Sequence, residues 1–247
     1  MGEGLPDFEI QQRGNEMTLK KAAGNMYEWV THTHSHLAGE CPHKCPYCYV
    51  QRNRFGVPAR YKGEPRLIDA ELSINYGSGN TIFIEHMSDL FAHEIPDRII
   101  AEVLRHCNRY PDNTYVIQTK NPERIVHTQG TGLLPKKLII GTTIETNRKT
   151  SYLGKAPYPY DRARGMYDLK MQGFKTFVTI EPIMNFDVVI LPDLIKGIKP
   201  DFVNIGADSK GCKLPEPPAE KILILIDELK NAGIEIRQKT NLKRILG

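Results

Sequence analysis

The sequence has no apolar run long enough to cross a membrane: the longest, Ile222 to Ile226, has five residues, against the ~20 that a spanning helix needs. It has no basic leader either. Residues 1–12 carry three acidic side chains and no basic one, so a secretory signal is not expected. An even set of cysteines is also missing. Five are present and three of them share one short loop, which argues against a disulfide framework and for a reducing, cytoplasmic setting. Strong charge imbalance is lacking as well. The 33 Lys and Arg against 29 Asp and Glu leave +4, short of the basic excess that by itself announces a nucleic-acid-binding domain. What is there, 247 residues with 40% hydrophobic and 25% charged content, suits a chain that buries a substantial core as one large α/β barrel or two small domains.

The three clustered cysteines, Cys41, Cys45 and Cys48, stand at C-x3-C-x2-C spacing in THTHSHLAGECPHKCPYCY. Three thiolates within eight residues can converge on one metal centre, and Pro42 and Pro46 mark a loop tight enough to turn them inward. Two readings follow. A structural zinc site wants four closed ligands, which His32, His34 and His36 on one strand face, or His43 within the loop, could complete. A four-iron cluster held by three cysteines instead leaves one iron for a ligand that is not protein.

Downstream, strand and helix patterns alternate. Strands are expected at Tyr27 to Thr33, Thr81 to Glu85, Thr114 to Gln118, Lys137 to Thr142, Lys175 to Ile180, Phe202 to Ile205 and Ile234 to Arg237. A weak helical pattern covers Asp69 to Tyr76. Helices are expected after Pro96, after an Asn121–Pro122 start, ending at Gly173, and from about Ala219 to Asn231 with Gly233 beyond it. Such alternation implies parallel strands with right-handed crossovers, in a curved barrel or an open sheet. In parallel barrels functional groups gather at the C-terminal strand ends. Here those ends read His32, His34 and the cysteines, then His86, Ser88 and Asp89, then Thr119, Lys120 and Asn121, then Thr143 and Glu145, then Glu181, then Asp208 and Ser209, then Gln238 and Lys239.

The cysteine motif with Tyr47 just before its third cysteine resembles the cluster motif of the radical S-adenosylmethionine (SAM) superfamily. The wider set, FIEHMSDLF, IQTKNPERI, GTTIETNR, FVTIEPIM and FVNIGADSKG, is similar to an uncharacterised radical SAM group of phages, bacteria and archaea that is itself reminiscent of spore photoproduct lyase. The resemblance implies an α/β fold, a partial (β/α)6 TIM-like barrel with the cluster loop after the first strand, and one domain over residues 1–247: an extension at 1–26, the barrel at 27–239 and a tail at 240–247. It implies a [4Fe-4S] cluster on Cys41, Cys45 and Cys48, with SAM as second cofactor and an external flavodoxin- or ferredoxin-type reductant. Reductive cleavage of SAM to a 5'-deoxyadenosyl radical that takes hydrogen from substrate is the implied chemistry.

By the same resemblance Ser88 and Asp89 meet the methionine amino group, although the superfamily often has Gly-Gly-Glu there. Lys120 suits the SAM carboxylate, Thr143 and Glu145 the ribose and methionine, and Gly206, Asp208 and Ser209 the adenine, with Tyr47 packed nearby. Glu181 is left for substrate. Cys212, in a Lys-Gly-Cys-Lys loop after the sixth strand, is either an inert thiol or a hydrogen-atom donor, whereas Cys107 on an apolar helix face is a core residue. The basic and aromatic stretches at 51–66 and 147–175, with Lys239, Lys243 and Arg244, are either solvated surface or a groove for a nucleotide or nucleic acid. Against turnover altogether stand two alternatives, a zinc-binding protein and a catalytically silent nucleic-acid-binding relative.

Overall fold

The computed structural model describes residues 19–52 and 55–247. Its frame is an eight-stranded sheet. A short β1 (Lys20–Lys21) runs antiparallel to β2 (His32–His34) at one edge. A two-stranded antiparallel ribbon, β3 (Leu37–Ala38) and β4 (Arg66–Leu67), stands apart after β2. The main sheet continues from β2, all parallel, through β5 (Thr81–Ile84), β6 (Thr114–Gln118), β7 (Leu138–Thr143), β8 (Lys175–Ile180), β9 (Phe202–Ile205) and β10 (Glu235–Gln238). Strand order follows chain order and the two edge strands do not pair, so the barrel is open. Helices α1 (Asp97–Asn108), α2 (Pro122–Gln129), α3 (Pro159–Met171), α4 (Ile190–Ile198) and α5 (Ala219–Asn231) make the five crossovers from β5 to β10, and α6 (Lys243–Leu246) follows β10.

Alternation along each strand divides apolar side chains between two cores. Ile82 and Ile84, Tyr115 and Ile117, Ile140, Val178 and Ile180, and Val203 and Ile205 face the helices. Phe83, Val116, Phe177 and Phe202 form a smaller cluster on the other, inner face, with Ile139 packed against it. Phe177 and Phe202 stack there with ring centroids 5.1 Å apart. Gly141 on β7 is what admits Phe177, because a Cβ at that position would lie 2.1 Å from the ring.

Three expectations are corrected. The first strand begins at His32, not Tyr27. Val30 donates back to the Tyr27 carbonyl in a turn at 3.0 Å, and Tyr27 and Trp29 pack into the inner aromatic cluster, so their bulk serves core packing rather than a ladder. Residues 69–76 hold only a 3-10 turn, Asp69–Ser73. The helix α4 was not among the expected elements. Pro192 stands in its first turn, where a backbone N–H has no intrahelical partner to lose, and Leu191, Ile195 and Ile198 bury one face. The other strand boundaries agree within one residue. Of the expected N-terminal extension, residues 1–18 lie outside the described residues, as does Arg54; Ala22 and Met26 close the inner cluster from below.

Candidate active site

Above the aromatic layer the inward strand positions turn polar. Gln118 ends β6, Thr143 ends β7, Thr179 is the last inward residue of β8, and Glu181 follows it. These groups and the three cysteines line one cavity of about 580 Å³ at the C-terminal strand ends. Tyr27 bridges its floor, donating to Gln118 Oε1 at 2.7 Å while Thr179 Oγ1 stands 2.6 Å from its hydroxyl. Gln118 in turn donates to Thr143 Oγ1 at 2.9 Å.

The cysteine loop is clamped from two sides. His43 Nε2 lies 2.7 Å from Asp89 Oδ2, and the His43 carbonyl accepts from Lys155 N at 2.7 Å. Gly154 permits that second contact, since a Cβ there would sit 2.3 Å from the same carbonyl oxygen. Cys45 is buried and Cys41 and Cys48 are half-buried. Burial, then the Asp89 charge, pushes the Cys41 thiol up to about 12, so a thiolate there needs a cationic centre beside it. Cys41, Cys45 and Cys48 all line the cavity. Three cysteines beside an open space fit a four-iron cluster, which three thiolates can hold with one iron left for another ligand.

A buried charge network supports the loop from behind. Lys120 Nζ lies 3.3 Å from Cys45 Sγ, 2.5 Å from the Tyr47 hydroxyl and 3.0 Å from Glu145 Oε1. Tyr47 also donates to Glu145. On the far side Arg162 Nη1 binds Glu145 Oε2 at 2.8 Å and the Thr143 carbonyl at 2.8 Å. Burial opposes the charge on Glu145, but Arg162 and then Lys120 hold its carboxyl down to about 2. Burial likewise opposes the Lys120 ammonium, which Tyr47, Glu145 and Cys45 nevertheless keep well above the usual lysine range. Glu145 and Arg162 have no exposed surface, so neither reaches the cavity. Arg162, read in sequence as part of a basic surface, is an interior counter-ion.

Asp89 lines the cavity but its oxygens are engaged: Oδ2 takes His43 and the Lys120 backbone N–H at 2.7 Å, and Oδ1 takes Phe91 N at 3.0 Å. Asn121 begins α2 without capping it, its amide donating to the Phe91 carbonyl. Ser88, Thr143, Asp208 and Ser209 line the cavity with Lys120 and Tyr47. Gly206 stands one step back and makes room for Glu181, whose carboxyl carbon would lie 2.7 Å from a Cβ there. Glu181 accepts from Asn25 and Asn241 at 3.1 and 2.8 Å and pairs with Lys239 at 3.1 Å. Asp208 ties its loop by accepting from the backbone of Lys210 and Cys212. The Cys212 sulfur comes within 4.0 Å of the Tyr47 carbonyl oxygen, which sets it beside the cysteine loop. Cys107 is wholly buried in the core under α1. Tyr27, Asn25, Gln118, Asn241 and Arg162 were not anticipated as site residues. Only the inward register of β6 carried a signal, since Gln118 follows Val116 by two.

The family model described as "Protein of unknown function (DUF5131)" matches residues 25–186. No curated protein sequence matches the chain. Among solved structures, spore photoproduct lyase with bound AdoMet and dinucleoside spore photoproduct is similar at a TM-score of 0.55 and 12% identity, over 86% of this chain and 65% of that one. A second spore photoproduct lyase structure matches at 0.61 and 10%, over 90% and 80%. Streptococcus suis SuiB bound to S-adenosylmethionine matches at 0.51 and 12%, over 82% and 48%. The chain thus spans just under two thirds of the first of these and about half of the last. At such identities the likeness is one of fold, and that fold is the partial barrel of the radical SAM enzymes.

Proposed function

Since the chain belongs to the DUF5131 family and folds as radical SAM enzymes do, we propose that it is itself a radical SAM enzyme. One observation carries this reading: the three cysteines open into the same 580 Å³ cavity as Lys120, Thr143, Glu181 and Asp208. Cys41, Cys45 and Cys48 would hold a [4Fe-4S] cluster and the cavity SAM. Together, when bound and reduced by a flavodoxin- or ferredoxin-type donor, these supply a 5'-deoxyadenosyl radical that takes hydrogen from substrate.

This chain's own residues bind and orient. Lys120 sets a fixed positive charge beside Cys45, suited to a carboxylate, and Glu145 with Arg162 holds it there. Asp89 works through what it grips, locking His43 of the cysteine loop and the backbone of Lys120 in one register. Ser88 and Thr143 offer hydroxyls in the same cavity, Ser209 and the backbone after Gly206 offer polar groups for an adenine, and Tyr47 supplies an aromatic edge. Glu181 faces the remaining space, and Cys212, beside the loop though not among the residues that line the cavity, would be the thiol to give up a hydrogen atom. A phosphate-bearing substrate, nucleotide or nucleic acid, is favoured by Lys149 over the ring of exposed Tyr158 at 4.9 Å and by exposed Tyr160 and Tyr167 on the same segment.

Anaerobic purification with iron and sulfide analysis, followed by reduction in the presence of SAM, tests the proposal. On the order of four irons per chain and formation of 5'-deoxyadenosine are expected. Zinc in place of iron, or a reduced cluster that leaves SAM intact, would refute it.

A further inference from the structure

A second set of metal-binding side chains lies away from the cavity. His34, His36 and His106 are buried together where β2 and its C-terminal extension meet the 69–73 turn and α1, with ligand nitrogens all within 4.8 Å of one another. The Glu85 carboxylate accepts the backbone N–H of His36 at Oε1 and of Leu37 at Oε2, at 2.5 and 3.3 Å, and His36 Nδ1 stands 2.8 Å from Oε1. His106 Nε2 lies 2.9 Å from the Ile74 carbonyl oxygen, which can only accept, so a neutral His106 is bare at Nδ1. His36 Nε2 lies 2.8 Å from that nitrogen, at hydrogen-bond distance.

His34 Nε2 is buried without a hydrogen-bond partner, 3.6 Å from Glu71 Oε2. The Tyr76 hydroxyl lies 3.0 Å from His36 Nε2. Three buried imidazoles whose ring nitrogens converge, one of them unpartnered, present the donor set that a metal ion takes.

We propose that His34, His36 and His106 bind one divalent transition-metal ion of the zinc type, with Glu71 as the fourth ligand. The outer contacts that such a site requires are already made: a ligating histidine donates its other N–H to a carboxylate or a carbonyl, as His36 does to Glu85 and His106 to Ile74. Three imidazoles and a carboxylate suit zinc, and four protein ligands leave no open position, which marks the site as structural. It would tie the strand that delivers the cysteine loop to α1 and the 69–73 turn.

Metal analysis of the full chain with Cys41, Cys45 and Cys48 all changed to alanine separates this site from the cysteines. About one equivalent of zinc per chain is expected, replaceable by Co2+ with visible d–d bands and no near-ultraviolet sulfur-to-cobalt band. Adding His106→Gln to that background should remove it. If the His106→Gln chain does not fold, X-ray absorption on zinc in the wild-type chain decides, with nitrogen and oxygen neighbours at about 2.0–2.1 Å and no sulfur near 2.3 Å expected. A folded cysteine-free chain that takes up no stoichiometric Co2+, or zinc carrying sulfur neighbours in the wild type, would overturn the proposal and leave the histidines as a hydrogen-bonded core.

Discussion

The cysteine loop and the histidine nest stand a few residues apart in sequence and differ in almost every physical respect. The loop opens into a 580 Å³ cavity and is backed by ionised groups, whereas the nest is sealed, with His36 fully buried and its imidazoles neutral. Thiolates spread around a large space suit a cluster with a vacant position; imidazoles converging in a closed space suit a single ion with none. The difference teaches that ligand type alone does not separate a reactive centre from a structural one. Access and the charge around the ligands do.

The contrast can be broken most directly at Cys45. Cys45→Ala is expected to abolish bound iron and 5'-deoxyadenosine formation while sparing the zinc of the histidine nest, and loss of both metals together would show the two regions to be one site. Next in size is Arg162→Leu, which leaves the fully buried Glu145 carboxylate with Lys120 as its remaining counter-ion; removing one partner of a buried pair costs about 3–5 kcal/mol, read by denaturant unfolding of the iron-free protein. The pH dependence follows from the same pair. Glu145 is depressed to about 2 in the folded chain against about 4.3 unfolded, so its contribution is complete above the unfolded value and lost as pH falls through about 2. The stability difference between wild type and Glu145→Gln should therefore shrink as pH is lowered from 5 toward 2, and a difference that stays constant would show that Glu145 carries no charge.

Asp89→Ala sharpens the clamp. Because Asp89 grips His43, the variant should lose iron affinity by about 10- to 100-fold, the usual penalty for an outer-shell partner, along with SAM affinity, and unchanged iron retention would limit Asp89 to the cavity. The smallest effect is expected from Gly206→Ala, which displaces Glu181. Turnover should fall more than SAM binding, at a stability cost of about 1–3 kcal/mol; equal losses in both would place Glu181 against SAM instead.

Much of this site was legible in the chain. Cys41, Cys45 and Cys48 are close in sequence, so any fold must bring them near one another, and Ser88, Lys120, Thr143, Glu181 and Asp208 follow strands whose period-two patterns could be read directly. The alternating elements were legible for the same reason, because both strand and helix periods are local. Tyr27 and Trp29 were misread as a strand since a β-rich composition looks the same in a ladder and in a plug. The helix at 190–198 is short, and its proline is compatible with a helix only in the first turn, where Pro192 stands.

The order of the sheet elements, the cysteine loop and the polar rim were thus determined by sequence, through contacts short in chain distance. Only the tertiary structure decided what those residues face. It turned Arg162 inward onto Glu145, 17 residues away. It engaged Asp89 with His43 across 46, and it brought His106 to His36 across 70. A side chain's partner in a folded protein is set by how layers pack, and burial then assigns its charge, so residues read as surface cations or strand histidines became counter-ions and ligands.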